Sequence, residues 1–420
     1  MVLSTGARAN GACSSAPALE IALKVAFLIP RVLLAGGIFI VLEHALGLSE
    51  EHGYEVTIVQ THDDPVEHHY PSLGALELTT VDEVSGRSFD LAVATWWDTV
   101  YRLPRVDARG YAHFVQSLED RFYEAHETGS RLRAGAVQAL PLPRIVSAGW
   151  LERYFEALLP ASPVYCVRSG VDKSVFASPA PKVTPRNGPL RIVVEGPPDV
   201  WFKAVPEAVE AVERMSEPRH LTLVSGPSEC PPELAALADD VAGGLSHAEM
   251  ARLLGETHVL LKLSRVEGMA GPPLEAFHMG ATAVLTPMTG HDEYAQHGYN
   301  SLIVGYDDPF GATRALDLLS RNRDLLHALR VNAHRTASEW PDWPTSTRVM
   351  ADALEQISAR HTGLVDATRQ LILETDVATG ADLGSEELRR ERDALRATLD
   401  LILGSRGWRA LELLRRLLGR

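Results

Sequence analysis

Short apolar runs alternate along this chain with longer stretches in which apolar residues return every three or four positions. The runs at 23–30, 54–59, 76–81, 89–95, 111–115, 144–147 and 164–167 have the length and bounding of buried parallel strands. A second series follows at 190–196, 221–226, 259–263, 283–286 and 302–304. Between the first two runs, Gly36-Gly37 opens a helix that continues to about Glu51 and stops at His52-Gly53. Strand, glycine turn, helix and strand make a βαβ unit, and two series of such units predict an α/β chain with two parallel sheets. Pro179, Pro181, Pro185 and Gly188 place a linker between them, at 178–188.

Residues 21–42 carry only Lys24 and Arg31 as charges and are long enough to imitate a membrane span. Pro30 and the Gly36-Gly37 pair break the run, and Glu43, His44, Glu50 and Glu51 continue it on an amphipathic pattern, so it reads as a strand and the start of a helix.

The most informative stretch is Val266-Glu267-Gly268-Met269-Ala270-Gly271-Pro272-Pro273-Leu274-Glu275. It follows the strand at 259–263 and opens a helix whose first turn is marked by Pro272 and Pro273. A helix start offers unpaired N–H groups to phosphate, and a carboxylate in that turn is steadied by the helix dipole and accepts hydrogen bonds from a vicinal diol. That suits a nucleotide sugar, with Glu275 on ribose hydroxyls and Glu267 on the sugar ring. The plain alternative is a loop charge and a capping charge.

Glu267 and Glu275, with seven residues between them and then Ala276, Gly280 and a buried strand, resemble the signature of retaining glycosyltransferases of the GT-B fold. Thr289-Gly290-His291-Asp292-Glu293-Tyr294 and Gly298-Tyr299-Asn300-Ser301-Leu302-Ile303-Val304 resemble that family's next two segments, in the same order. The resemblance covers about residues 21–357 and implies two Rossmann-like domains facing a cleft. It sets an acceptor domain at 21–177, a donor domain at 189–339 and a crossover helix at 340–359; the Ala-, Gly- and Ser-rich residues 1–20 read as a disordered lead-in, and 360–420 as a helical tail outside the resemblance. Donor contacts are implied for Gly268, Met269 and Ala270, for Gly36 and Gly37, and for Gly290 and His291.

Glu195-Gly196-Pro197-Pro198-Asp199-Val200-Trp201-Phe202-Lys203 occupies the turn where the family sets an Arg and a Lys on the donor diphosphate. Lys203 fits, and the Arg is absent. Arg265 is a candidate replacement or a purely structural partner of Glu267. Glu267 and Lys203 are therefore the catalytic candidates.

On the acceptor side stand Trp96, Trp97 and Asp98, one of the two tryptophans being a sugar-stacking candidate. His113-Phe114-Val115-Gln116-Ser117-Leu118-Glu119-Asp120-Arg121-Phe122-Tyr123 resembles a segment of rhamnan-type polysaccharide glycosyltransferases, with Ser117 where Asp is common. This adds Gln116 and Glu119, against the alternative that Glu119 is a solvated helix start.

A net charge of −15 argues against nucleic-acid binding. Cys13, Cys166 and Cys230 are odd in number and scattered, which suits a reducing, cytoplasmic setting. Asp63-Asp64 and Asp307-Asp308 read as solvated turns, so no metal and no cofactor is expected beyond the nucleoside diphosphate sugar as co-substrate.

In the tail, Leu388, Leu395 and Ile402 repeat every seven residues, which suits a short coiled coil and a homodimer. Residues 404–420 carry five Arg and one Glu on an amphipathic pattern, which suits anionic lipid at the inner face of the cell membrane or a partner protein.

The residues thus point to a retaining, metal-independent transferase of a hexose or deoxyhexose, with rhamnose a candidate, acting on a surface polysaccharide or lipid-linked glycan. A non-catalytic sugar-nucleotide-binding scaffold of the same fold is the second reading. A phosphorylase would need a cofactor lysine pocket that the sequence does not supply.

Overall fold

Val25, Phe27 and Ile29 face one side of a sheet and Ala26 and Leu28 the other, and all five are fully buried. A strand covered on both faces must be apolar throughout, which is why it reads as a continuous run. The computed structural model describes residues 23–62, 65–66, 70–183, 187–226, 229–361 and 365–380. The first lobe is one sheet of β1 (Lys24–Ile29), β2 (Glu55–Gln60), β3 (Glu77–Thr80), β4 (Ser88–Ala94), β5 (Asp107–Val115), β6 (Arg144–Val146) and β7 (Val164–Cys166). Its strand order is β3-β2-β1-β4-β5-β6-β7, and every neighbouring pair is parallel.

The second lobe has β8 (Leu190–Glu195), β9 (Arg219–Val224), β10 (Asp240–Ala242), β11 (Val259–Lys262), β12 (Thr282–Leu285) and β13 (Ser301–Ile303), in the parallel order β10-β9-β8-β11-β12-β13. The hydrophobic pattern located every one of these strands but β10, a short edge strand with two exposed residues and no apolar run to announce it. In each sheet the chain winds outward in both directions from a central strand. The ligand crevices of such sheets open beyond the strand ends at that reversal, between β1 and β4 and between β8 and β11.

The helix Trp343–His361 returns to the first lobe, where Met350, Leu354 and Ile357 join its core. Residues 365–380 are helical and also lie on the first lobe, with Ile372 buried there and Arg133 donating to Asp376 at 2.5 Å. The lead-in at 1–20, the heptad of Leu388, Leu395 and Ile402, and the basic segment 404–420 fall outside the described residues. Among the described residues, no helix is long and apolar enough to cross a membrane.

The returning helix enters over Gly170. A Cβ at that position would stand 2.6 Å from the Trp343 backbone, which has no room to move. Gly170→Ala is expected to destabilise the protein by about 2–3 kcal/mol, as overpacking against main chain does, and urea unfolding measures it. An unchanged midpoint would show that the crossover is loosely seated.

Candidate active site

At the second sheet's reversal, β8 leads into the turn Trp201–Lys203 and β11 into the loop of Glu267. Their main chains are tied, the Arg265 N–H donating to the Phe202 carbonyl at 2.7 Å. The Lys203 ammonium donates to both oxygens of Glu267, at 2.9 and 3.0 Å. Lys262, the last residue of β11, stands on the other side, 3.5 Å from a Glu267 oxygen and 2.8 Å from Glu195 at the end of β8. Burial alone would raise the Glu267 carboxyl; the two ammonium groups overcome that and hold it down to about 2. Glu267 is therefore a fixed negative charge across the working pH range.

Glu275 differs from expectation. The helix runs Gly271–His278 and has no acidic residue in its first turn. Glu275 lies one turn further in, where the dipole no longer favours a charge. Burial, with Glu195 nearby, pushes its carboxyl up to about 7, against the pull of Lys262. It has neither a hydrogen bond nor an ion pair among the described residues, so its oxygens are available to a ligand's hydroxyl groups.

The sign of the resulting pH effect follows. An acid near 4.3 when unfolded and near 7 when folded adds no cost below pH 4.3, a growing cost up to 7 and a constant one above. Glu275→Gln is thus expected to melt close to the native protein at pH 5 and roughly 5 °C above it at pH 8. Equal differences at the two pH values in paired thermal melts would mean that Glu275 titrates normally.

The lobes meet directly over this site. The Gly268 carbonyl accepts from the Trp150 indole at 2.7 Å, and a Cβ on Gly268 would overlap the Gln116 carbonyl. Gln116 in turn donates to the Gly37 carbonyl at 3.0 Å, joining an acceptor candidate to the glycine turn after β1. Gly290, in the left-handed region at φ 81°, packs its backbone on that of Gly268. Glu293 reaches the first lobe, accepting from the Gly149 N–H at 2.8 Å and from Arg168 at 2.8 Å. That contact caps the helix Gly149–Leu158 with a charge from the other lobe. Met269 packs between the lobes, and the Ala270 carbonyl accepts from the Tyr294 hydroxyl at 3.0 Å. The imidazole of His291 donates from Nδ1 to the Met288 carbonyl at 2.7 Å.

Other candidates are placed differently. Arg265 is held by Glu207 at 2.6 Å, Asp307 at 2.7 Å and the Trp201 carbonyl at 2.5 Å, so it braces the turn carrying Lys203. Asp307, expected as a solvated turn, is its partner. Trp97 is buried, whereas Trp96 is half-buried and stacks on Phe122 at 5.8 Å. Glu119 is not a solvated helix start. Its carboxylate is buried, accepts from the Trp97 N–H at 2.5 Å, and burial pushes it well above the usual carboxylate range. It supports the tryptophan loop from beneath. Asp98 binds His62 at 2.7 Å. Lys262 and Glu195 belong to the site and were not singled out in the sequence, although a lysine in an apolar strand is a signal in itself.

Two parallel α/β lobes with their crevices turned toward each other define the GT-B fold. Residues 191–322, in the second lobe, match the family model described as glycosyl transferases group 1. A search of the curated proteins finds no match to the chain. Among solved structures, it is similar to HepE from Anabaena in complex with UDP and glucose, at 14% identity and TM-score 0.64 over 80% of this chain and 100% of that one. It is also similar to sucrose-phosphate synthase from Thermosynechococcus elongatus, at 15% identity and TM-score 0.64 over 80% of this chain and 99% of that one. WaaG, a glycosyltransferase involved in lipopolysaccharide biosynthesis, is 15% identical at TM-score 0.61 over 79% of this chain and 99% of that one. At these identities the similarity is one of fold.

Proposed function

We propose that the chain transfers a hexose or deoxyhexose from a nucleoside diphosphate sugar to a growing surface polysaccharide or lipid-linked glycan, with retention at the anomeric carbon and without a metal. The observation that supports this best is the Glu267 carboxylate, kept ionised by Lys203 and Lys262 where the lobes touch, with Glu275, unpartnered among the described residues, near the same Lys262. Glu275 takes the ribose hydroxyls, Lys203 and the backbone N–H groups of the Gly268 and Gly290 loops take the diphosphate, and Glu267 orients the sugar. The acceptor hydroxyl bonds to the anomeric carbon as the bond to the phosphate oxygen breaks, and that oxygen takes the hydroxyl proton on the same face. Glu267 steadies the positive charge that develops on the ring and does not attack it.

Trp96 and Gln116 line the acceptor side, and residues 404–420 hold the enzyme near an anionic surface that carries its acceptor. Uridine donors lead the list of candidates, because HepE is known with UDP and with UDP-glucose; dTDP-rhamnose follows, from the resemblance of residues 113–123.

The test is a thermal-shift panel of nucleoside diphosphate sugars, followed by a transfer assay in EDTA with the product's anomeric configuration read by NMR. A shift with turnover and retention is expected. A shift without any turnover would make the protein a sugar-nucleotide-binding scaffold, and an inverted product would remove the same-face mechanism.

A further inference from the structure

With both Glu267 oxygens on its ammonium, at 2.9 and 3.0 Å, Lys203 has one N–H left for a diphosphate. A grip through two or three donors, which the reading above calls for, requires it to change partners. Glu267, with a 10% exposed side chain, would then keep only the longer contact to Lys262, at 3.5 Å, a costly state in a low-dielectric site. The turn that carries Lys203 contains no arginine to share the task.

Lys262 answers this difficulty. Its neighbours on β11, Val259, Leu260 and Leu261, are at most 1% exposed, and a lysine beside them is tolerated only where carboxylates surround it. Its side chain is 3% exposed, so it does not reach a ligand. It is in contact with Glu195 at 2.8 Å and stands 3.5 Å from Glu267. Glu195 is the more exposed of these two carboxylates, at 22% against 10%, so water can take over Glu195 more cheaply than Glu267. The charged and titratable groups around the pair are Lys203, Glu195, Glu275 and Tyr294.

We propose that Lys262 is a positioning residue that moves from Glu195 onto Glu267 as Lys203 leaves for the donor diphosphate. The second cation of this site is thus kept inside the sheet, where it replaces Lys203 as the partner of Glu267. The proposal rests on the donor reading above. It distinguishes a relay from a static pair: a static Lys262–Glu195 pair would affect stability alone.

The test uses the full chain, calorimetric titration with UDP, GDP and dTDP, and kcat and KM measured separately for the donor selected by the panel. Lys262→Met, and Lys262→Met combined with Glu195→Gln to avoid leaving a second carboxylate without its cation, are expected to weaken nucleoside diphosphate binding about tenfold, because Lys203 stays on Glu267. Donor KM is expected to rise by a similar factor with kcat changed much less, because the loss falls on donor binding while Lys203 still pairs with Glu267. Nucleotide affinity and donor KM both matching the native protein, with only the melting temperature changed, would overturn the relay. If both Lys262 variants fail to fold, Glu195→Gln decides: it frees Lys262 for Glu267, so diphosphate affinity should hold or rise, and a fall contradicts the proposal. A native protein that binds none of the three nucleotides would sink the donor reading itself, which separates the two failures.

Discussion

Glu267→Gln is expected to lower kcat by at least about a hundredfold, the loss seen when one preorganised electrostatic group is removed from a site that stabilises developing charge. The amide keeps the shape and can still accept a hydrogen bond, so the fold should survive. What it loses is the negative charge that two lysines keep ionised, Lys203 at 2.9 Å and Lys262 at 3.5 Å. The donor KM should change much less than kcat, because the charge matters most when the sugar ring becomes positive. Steady-state kinetics read both quantities. Loss confined to KM would make Glu267 a binding group for the donor and nothing more.

The second large effect is steric. Gly268 sits with its backbone against the Gln116 carbonyl of the other lobe, and its own carbonyl accepts from the Trp150 indole at 2.7 Å. An added methyl cannot fit there, so Gly268→Ala must either hold the lobes apart or displace the loop that carries Glu267. Since misplacing reacting groups by about 1 Å costs on the order of a hundredfold, kcat/KM should fall by that factor. The cost lies at the contact between lobes and not within a core, so melting should shift little. Kinetics together with small-angle scattering measure this, the variant showing a larger radius of gyration. Native activity would mean that the closed contact is not the working form.

These effects also mark where the sequence was legible. The strands were readable because both faces of each sheet are covered, which forces the continuous apolar runs at 23–30 and 259–263. The Glu267 to Glu275 spacing was readable because one loop and one helix start place both. Lys262 escaped notice because its strand was read for hydrophobicity, although its charge was the unusual feature. Glu275 was assigned to a first turn that ends before it, and so to the wrong electrostatic environment. Glu293 with Arg168, Glu119 with Trp97, and Arg265 with Glu207 are pairs formed by the folded chain between residues far apart in sequence. No local pattern announces such pairs, so Glu119 read as an acceptor candidate, with a solvated helix start as the alternative, and Arg265 as a candidate for phosphate.

If Glu275 and Glu267 share one nucleotide-sugar site, calorimetric titration with UDP, GDP and dTDP will distinguish the native protein from Glu275→Ala. The native protein is expected to bind one of the three, and the variant to bind it at least about tenfold more weakly through the lost ribose contact. Equal affinity in the two proteins would contradict the account, and so would failure of the native protein to bind any of the three.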